Sequence, residues 1–593
     1  MRALLLLLCA LLTGCATPIA NTQVTQVPLS TPVRWRTAPE CLARGSIEGV
    51  TDRVALAAQP CAAPPSRDLV ALALSGGGTK AAVFSGEALF YLDALGLLQR
   101  TSIVSSVSGG SFAGALYALS CDVGDSACQL RTHPGLARPL WERGKVMEAL
   151  GHGYGKLVTE QVARLIVPFV GASISQERFA DFIDETYLGR GSGSATRFTM
   201  ADVNPRRPHL FLNATVLSQN RGGLETSVPM GCPGLARGYL RRRTPDEFFH
   251  FAFSDYYFGL LRSTVADYPV SGAVAASAAF PLLIDNTILK DFCDQAPRNG
   301  IRLMDGGAND NQALIEVYLV LSELALGQAR SDLSVLAPGL LERMGPNDRA
   351  YLVVVNSSVT DSTGLPGTTG DQVPRSVPGA LLSIVDKVSA GVDTYSAIGW
   401  DLRRQLYLGQ GDRVTSTPGV PLLVPVNISL SLLDQYALGG TEAALRTKSG
   451  IGPEPSDVSD ARVRGRILRQ SAAYGRLMSE PGAREDLKLS HWHPQCYFDM
   501  RAELDASLVS VSADNQACLR EAARWAGALQ GQELCMSGHP PDGLDCSGGR
   551  VHLARPDVLA GELRGECHPK LPLPPGPDEI RSADATCRRL DVP

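Results

Sequence analysis

Hydrophobic and polar positions between residues 69 and 117 fall into blocks that predict a strand, a helix, a second strand and a second helix. The first block, Leu69–Leu74, is an unbroken apolar run that ends at Ser75 and three glycines. A short run without polar alternation is typical of a strand buried on both faces, as in a parallel sheet. The next block, Ala81–Leu98, keeps an apolar face with few interruptions and predicts a deeply packed helix.

Three glycines lie between this strand and this helix: Gly76, Gly77 and Gly78. Backbone N–H groups at the start of a helix lack intrahelical partners, and with the helix dipole they favour a negative charge. A nucleotide-binding P-loop does not fit, because Thr79 precedes Lys80 and Ala81 follows it. A dinucleotide fingerprint fails as well, since Ala81 takes the place of its last glycine. We expect the loop to bind an oxyanion; a plain strand-to-helix connection is the simpler alternative.

The second strand ends at a serine. Ile103–Val107 is a short β-prone run, Ser108 follows it, and residues 109–114, which are small apart from Phe112, begin the next helix. This order is typical of a nucleophile elbow, a tight strand-to-helix turn that presents a serine. The usual pattern is G-x-S-x-G, whereas here Ser106 replaces the first glycine and Gly110 keeps the second. The spacing to Gly110 favours Ser108 over its neighbours, which are Ser105, Ser106 and Ser111.

An aspartate follows a later strand. Ile301–Met304 is an apolar strand end, and Asp305, Gly306 and Gly307 come directly after it. In α/β folds the chemistry lies at the carboxyl ends of the strands, so this carboxylate is placed to meet Ser108. Taken alone, an Asp-Gly pair is usually only a turn. The order of the three motifs is what supports the interpretation.

Together these motifs resemble the patatin-like phospholipase family. They run in the same order: G-G-G-x-K at residues 76–80, then the serine elbow, then Asp-Gly-Gly. Two further blocks are similar to the family, Asn213–Thr215 and Ala276–Pro281. The resemblance covers residues 68–430. It implies an α/β fold with a three-layer α/β/α hydrolase core around a mostly parallel sheet, and activity on acyl esters of lipids.

The resemblance also implies roles for the matching residues. Ser108 would attack an ester carbonyl and Asp305 would accept its proton, as a dyad without histidine. The oxyanion hole would be formed by the N–H groups of three glycines, Gly76, Gly77 and Gly78. Lys80 matches a position that carries Arg or Lys in the family. The other positions associated with the motifs are Gly110, Gly306 and Gly307, and we expect no cofactor and no metal ion.

Three alternatives stay open. A Ser-His-Asp triad would need His209 or His250 to reach Ser108 in space. An acyltransferase or thioesterase would use the same dyad with another acceptor or substrate. A non-catalytic lipoprotein would use the fold as a binding scaffold at the cell envelope, although such a protein has no physical need for the serine, the aspartate and the glycine loop together.

The N-terminus has the features of a bacterial lipoprotein signal. Arg2 precedes an apolar run too short to span a membrane, and Leu12–Cys15 resembles the lipobox. This resemblance implies that residues 1–14 are removed and that Cys15 becomes lipidated. Because Ala16 follows, it points to the outer membrane of a Gram-negative cell. An ordinary signal peptide is the alternative.

Composition divides the rest of the chain. The expected regions are a lipidated tether at 15–66, the catalytic domain at 67–433, a helical extension at 434–490 and a cysteine-rich C-terminal region at 491–593. Further strands are predicted at 350–355 and 421–430, with a long amphipathic helix at 380–407. We interpret the aromatic residues at 248–258 as core packing rather than as an acyl pocket or a lid.

Cysteine usage and charge suit an exported protein. The chain has 14 cysteines, of which Cys9 would be removed with the signal and Cys15 would be lipidated. Twelve cysteines are left, and an even number in an exported chain indicates disulfides. Cys121 and Cys128 are spaced to close a small loop. Other candidate pairs are Cys41 with Cys61 and Cys232 with Cys293. The net charge of −5 indicates no nucleic-acid partner, so the expected partners are a lipid substrate and a membrane surface.

Overall fold

A computed structural model shows how these elements assemble. It describes residues 19–24, 68–126, 128, 136–155, 157, 174–190, 196–221, 224–226, 250–280, 283–292, 300–317, 320, 349–357, 422–430, 433, 472–477, 482–489, 510–537 and 540–561. The strands are β1 (Thr22–Gln23), β2 (Asp68–Leu74), β3 (Thr101–Val107), β4 (Cys121–Asp122), β5 (Leu140–Trp141), β6 (His209–Arg221), β7 (Leu224–Thr226), β8 (His250–Ala252), β9 (Ser263–Thr264), β10 (Thr287–Lys290), β11 (Gly300–Asp305), β12 (Arg349–Asn356) and β13 (Leu422–Ser429). The helices are α1 (Gly78–Ala94), α2 (Gly109–Leu119), α3 (Arg143–Gly151), α4 (Gln176–Thr186), α5 (Asp255–Leu260), α6 (Val270–Ser277), α7 (Gly307–Asp310), α8 (Ala483–Asp486) and α9 (Ala513–Met536).

One central sheet organises the described part of the chain. Its strands lie in the order β10-β11-β6-β3-β2-β12-β13, and β7 and β8 also pair with β6. The pairs from β6 through β3, β2 and β12 to β13 are parallel, whereas β10, β11, β7 and β8 join in antiparallel pairs. Every residue of β2 is buried, as the unbroken apolar run predicted. The α/β class with a mostly parallel sheet and packed helices is confirmed.

The register of two strand pairs brings distant parts of the chain to one edge. Val107, the last residue of β3, is opposite Asn213 of β6. The next residue of β6, Ala214, is opposite Asp305 at the end of β11. Ser108 and Asp305 therefore meet across β6, although they are far apart in sequence.

The C-terminal part of the chain shares this core. Helix α9 packs directly on α1: the side chain of Tyr91 would lie 2.5 Å from a Cβ placed on Gly527, so the two helices need this glycine to approach closely. Trp525 is fully buried. A cluster of charges joins the same elements, because the Glu87 carboxylate is bound by Arg143 from α3 and by Arg524 from α9. The region predicted as a cysteine-rich extension thus contributes a core helix.

The predicted strands agree with the observed ones to within a few residues, including those at 349–356 and 422–429. Residues 121–270 contain α3, α4 and the 13-residue strand β6. Within the aromatic stretch, Phe251 packs against Tyr257 and Phe258, and all three are buried, as expected of core residues. The helix predicted at 380–407 lies outside the described residues.

Cys121 and Cys128 form the predicted disulfide, and Cys535 is bridged to Cys546. The candidate pairs Cys41 with Cys61 and Cys232 with Cys293 lie outside the described residues. No helix in the described ranges is both long and apolar enough to cross a membrane.

Candidate active site

Ser108 occupies a strained turn between β3 and α2. Its backbone has a φ of 49° and a ψ of −122°, a conformation that side-chain-bearing residues rarely adopt. Its N–H donates to Oγ of Ser277 at 3.0 Å, and Ser277 in turn donates to the carbonyl of Asn213 at 2.5 Å. A strained residue persists only where its surroundings hold it in place. Here α6 and β6 hold the turn that presents the serine hydroxyl, which is the geometry of a nucleophile elbow.

The glycine loop packs directly against this turn. A Cβ on Gly109 would lie 2.0 Å from the carbonyl oxygen of Gly78, and a Cβ on Gly76 would lie 3.2 Å from the Cβ of Ser108. Gly77 and Gly78 have φ values of 128° and 63°, which favour glycine. The small residues around the serine are therefore required by the close approach of two backbones.

Ser108 and Asp305 are in direct contact. The serine Oγ donates a hydrogen bond of 2.8 Å to Oδ2 of the aspartate. The other carboxylate oxygen, Oδ1, accepts the N–H of Gly307 at 2.8 Å. Burial raises the pKa of Asp305 to about 6, even though the hydrogen bonds from Gly307 and Ser108 lower it. A carboxylate with this pKa is ionised at neutral pH and is a better base than an exposed aspartate.

Two further residues hold the glycine loop. The N–H of Gly76 donates to the backbone carbonyl of Asn311 at 2.8 Å, and Oγ of Ser357 donates to the carbonyl of Gly76 at 3.0 Å. The N–H of Gly76 therefore already has a backbone acceptor in this arrangement, and its expected role as an oxyanion donor stays a prediction. Gly77 and Gly78 precede and begin α1, where N–H groups lack intrahelical acceptors.

The serines that compete with Ser108 in sequence have other partners. Ser105 accepts a hydrogen bond from the Asn213 side chain, Ser106 donates to the carbonyl of Phe211, and Ser111 bonds to Ser277. In the part of the chain that the structure describes, Ser108 is the serine whose Oγ bonds to Asp305.

Neither candidate histidine takes part in the dyad. His209 is the first residue of β6, opposite Ile103 and four residues before Asn213, and it lines a small cavity of about 30 Å³. His250 is buried and its Nε2 lies 3.1 Å from Oε2 of Glu316. The arrangement of the described residues therefore favours a dyad over a Ser-His-Asp triad.

Aromatic side chains border the dyad. Burial, followed by the charge of Asp305, raises the pKa of Tyr154, so the phenol lies within electrostatic reach of the carboxylate. The ring of Tyr154 packs edge-on to Phe179 at 5.8 Å, and Phe179 packs on Phe112 of α2 at 6.3 Å. All three side chains are buried.

The remaining predicted positions are buried or lie where two backbones approach closely. Lys80 is buried in the first turn of α1. A Cβ on Gly110 would lie 2.6 Å from the carbonyl oxygen of Leu74, and one on Gly306 would lie 2.5 Å from that of Asn213. Cys15 lies outside the described residues. Among the described side chains, no group of three or more His, Cys, Asp or Glu is arranged to hold a metal ion.

Several site residues carry no local motif of their own. Ser277 lies in the block 276–281 that resembles the patatin-like family, but its own contact with the elbow could not be read from that block. No sequence pattern indicated Asn311 or Ser357 as site residues. Asn311 lies soon after Asp305, and its side-chain oxygen would meet a Cβ on Gly76 at 2.2 Å, whereas Ser357 simply follows β12.

Comparisons with known proteins add little to this geometry. No family model matches the chain, and no curated protein is similar to it. Among solved structures, VipD from Legionella pneumophila aligns with 79% of this chain and 84% of its own, at 12% identity and a TM-score of 0.21. This similarity is too low to support an argument about fold or function.

Proposed function

We propose that this protein is a serine acyl hydrolase that cleaves acyl esters of membrane lipids with Ser108 as nucleophile and Asp305 as general base. The observation that carries the proposal is the 2.8 Å hydrogen bond from a strained, buried serine to a carboxylate with a raised pKa. The motif order shared with the patatin-like family supports the same reading.

In the first half of the reaction, Oγ of Ser108 would attack the ester carbonyl carbon while its proton passes to Oδ2 of Asp305. The carbonyl oxygen then carries a negative charge, and the N–H groups of Gly77 and Gly78 would stabilise it. When the tetrahedral intermediate collapses, the bond to the alcohol oxygen breaks. Asp305 returns the proton to that oxygen, so the alcohol leaves neutral and the acyl group stays on the serine.

In the second half, a water molecule would attack the acyl-serine ester and give a proton to Asp305. A second oxyanion forms at the same N–H groups. Its collapse frees the fatty acid and returns the proton to Ser108, so the protein ends in its starting state. The dyad serves as base and then as acid in each half.

A lipid substrate is favoured by the motif order that the chain shares with the patatin-like family, which is G-G-G-x-K, the serine elbow and Asp-Gly-Gly. We further propose that Cys15 is lipidated and holds the protein at the outer membrane of a Gram-negative cell, where acyl esters are abundant. The lipobox is the support for this part.

The test is labelling of the mature protein with a fluorophosphonate, which reacts with activated serines. Wild type should be labelled, and Ser108→Ala should lose the label together with turnover of acyl esters. Ser105→Ala is the matched control, because it removes a buried hydroxyl from the adjoining strand and should keep the label. Asp305→Asn should retain the fold but lose most turnover.

Other outcomes would change the assignment. Labelling that persists in Ser108→Ala would contradict the proposed nucleophile. A folded wild type with neither labelling nor turnover would favour the binding-scaffold alternative. Faster consumption of acyl donor when an alcohol is added, or a preference for thioesters, would favour the acyltransferase or thioesterase.

A further inference from the structure

Residues 19–24, the N-terminal segment, make direct contacts with the rest of the described structure. The side chain of Asn21 accepts the N–H of Lys290 at 2.8 Å and donates to its carbonyl at 2.9 Å. These groups lie on β10, which is the edge strand of the central sheet. Thr22 and Gln23 pair with β9, and Ile19 packs against Gly272 of α6. The segment therefore contacts the edge strand β10 at Lys290 and pairs with β9 beside the central sheet.

This attachment leaves little chain between the body and the proposed lipid. Cys15 and Ile19 are separated by four peptide units, which span at most about 14 Å when fully extended. A lipid on Cys15 is thus confined to a small region around the docked segment. The region 15–66, expected to act as one long tether, has its first attachment to the body a few residues from the lipid.

Next to the docked segment lies a surface of unusual composition. Three large hydrophobic side chains are strongly exposed in the described residues, and two of them are here: Ile288 at 57% and Leu217 at 45%. Ile288 is opposite Arg302 in the β10–β11 pair, and Leu217 lies in β6 at the bulge beside it. The side chains of Arg302 and Lys290 are exposed as well. We call these four residues the edge surface.

We propose that the edge surface lies on the membrane, with Ile288 and Leu217 in the headgroup region and Lys290 and Arg302 against anionic phospholipid. The inference rests on the proposed lipidation of Cys15. Exposed apolar side chains next to cations are the composition by which surfaces bind an anionic bilayer. The short connection to Cys15 places the lipid at the same edge.

The same geometry brings the nucleophile close to the anchoring leaflet. Ile19 contacts Gly272, and α6 runs five residues from there to Ser277, a rise of about 7.5 Å. Ser277 touches Ser108. A lipid on Cys15 is therefore held within a few tens of ångströms of the serine, and the substrate class becomes phospholipids of the leaflet that holds the anchor.

The test uses the full lipidated chain in vesicles of phosphatidylethanolamine and phosphatidylglycerol that carry a shallow nitroxide-labelled lipid. An Ile288→Trp substitution adds one fluorophore to the edge surface. Val123→Trp is the matched control, because Val123 is the third exposed large hydrophobic, at 64%, and lies after α2, away from β10. The fluorescence that each variant adds to that of wild type is compared between vesicles with and without the nitroxide-labelled lipid. The nitroxide should lower the added fluorescence of Ile288→Trp about two-fold and leave that of Val123→Trp unchanged.

A second measurement does not depend on the tryptophan. Lys290→Glu should lower hydrolysis of vesicle phospholipid several-fold and leave turnover of a soluble short-chain ester unchanged, whereas Lys145→Glu, which changes an exposed lysine on α3, should leave both unchanged. Equal quenching of both tryptophans, no quenching of either, or a mass spectrum without an acyl group on Cys15 would overturn the inference. Because fluorophosphonate labelling reports the dyad separately, a quenched but unlabelled protein would support this orientation and contradict the proposed function.

Discussion

Oγ of Ser108 lies 2.8 Å from Oδ2 of Asp305, and the carboxylate that accepts its proton is almost fully enclosed by protein. Burial disfavours the charged carboxylate, so the pKa rises to about 6. The fixed hydrogen bond places the base at the proton that must leave during attack. Its position and its raised pKa together make Asp305 a more effective base than an exposed aspartate.

The pH dependence of turnover follows from this pKa. Only the ionised form of Asp305 accepts a proton, so kcat/KM for a soluble ester should fall about ten-fold per pH unit below about 6 and stay level above it. A pH-stat assay, with circular dichroism at each pH to confirm folding, gives the profile. An inflection near 4 would indicate a solvated carboxylate, and one near 7 would indicate a histidine base.

Ser277 should be a positioning residue for the nucleophile. Its Oγ accepts the N–H of Ser108, so Ser277→Ala leaves that N–H unpaired and relaxes the strained turn. We expect kcat to fall about ten-fold, corresponding to roughly 1.4 kcal/mol, with KM little changed. Ser271→Ala is the control: it also removes a buried hydroxyl from α6, one that donates to Asp184, but it should leave kcat within about two-fold. Equal losses in both variants would contradict a specific role.

Gly109 should tolerate no side chain. A Cβ there would lie 2.0 Å from the carbonyl of Gly78, so Gly109→Ala must push the glycine loop away from the elbow. We expect at least about a hundred-fold loss of kcat/KM, because misplaced oxyanion donors are costly. Gly144→Ala on α3, where nothing lies within 4 Å of the new Cβ, should keep full activity and unfold at the same or higher temperature. Full activity in Gly109→Ala would show that the loop is not the oxyanion hole.

The buried charge cluster around Glu87 should contribute strongly to the stability of the fold. Burial alone would raise the pKa of Glu87, but Arg524 and Arg143 hold it below its ordinary value, so the carboxylate is charged. Arg143→Met removes one partner and should lower the free energy of unfolding by about 3–5 kcal/mol. Denaturant unfolding measures this loss. Lys145→Met, which breaks the exposed pair with Glu142, should cost less than about 1 kcal/mol.

Local pattern accounts for much of the fold. β2 follows from an unbroken apolar run, β3 from a short β-prone run, and α1 and α2 from the apolar or small residues that follow each strand, whereas Cys121–Cys128 follows from spacing. The place of α9 does not follow from local pattern, because a charged helix late in the chain gives no sign of which partner will bury it. Its contact with Tyr91 depends on one glycine, Gly527, whose role is visible only when both helices are in place.

By itself, the sequence determined that Ser108 stands on a small-residue turn, that Asp305 ends a strand, and that three glycines begin a helix, because each is set by residues adjacent in the chain. Only the tertiary structure decided that Ser108 and Asp305 touch, that the carbonyl of Asn311 accepts the N–H of Gly76, and that Asn21 of the N-terminal segment bonds to Lys290 of β10. Strand register, long-range hydrogen bonds and burial arise between distant segments, and no local pattern encodes them.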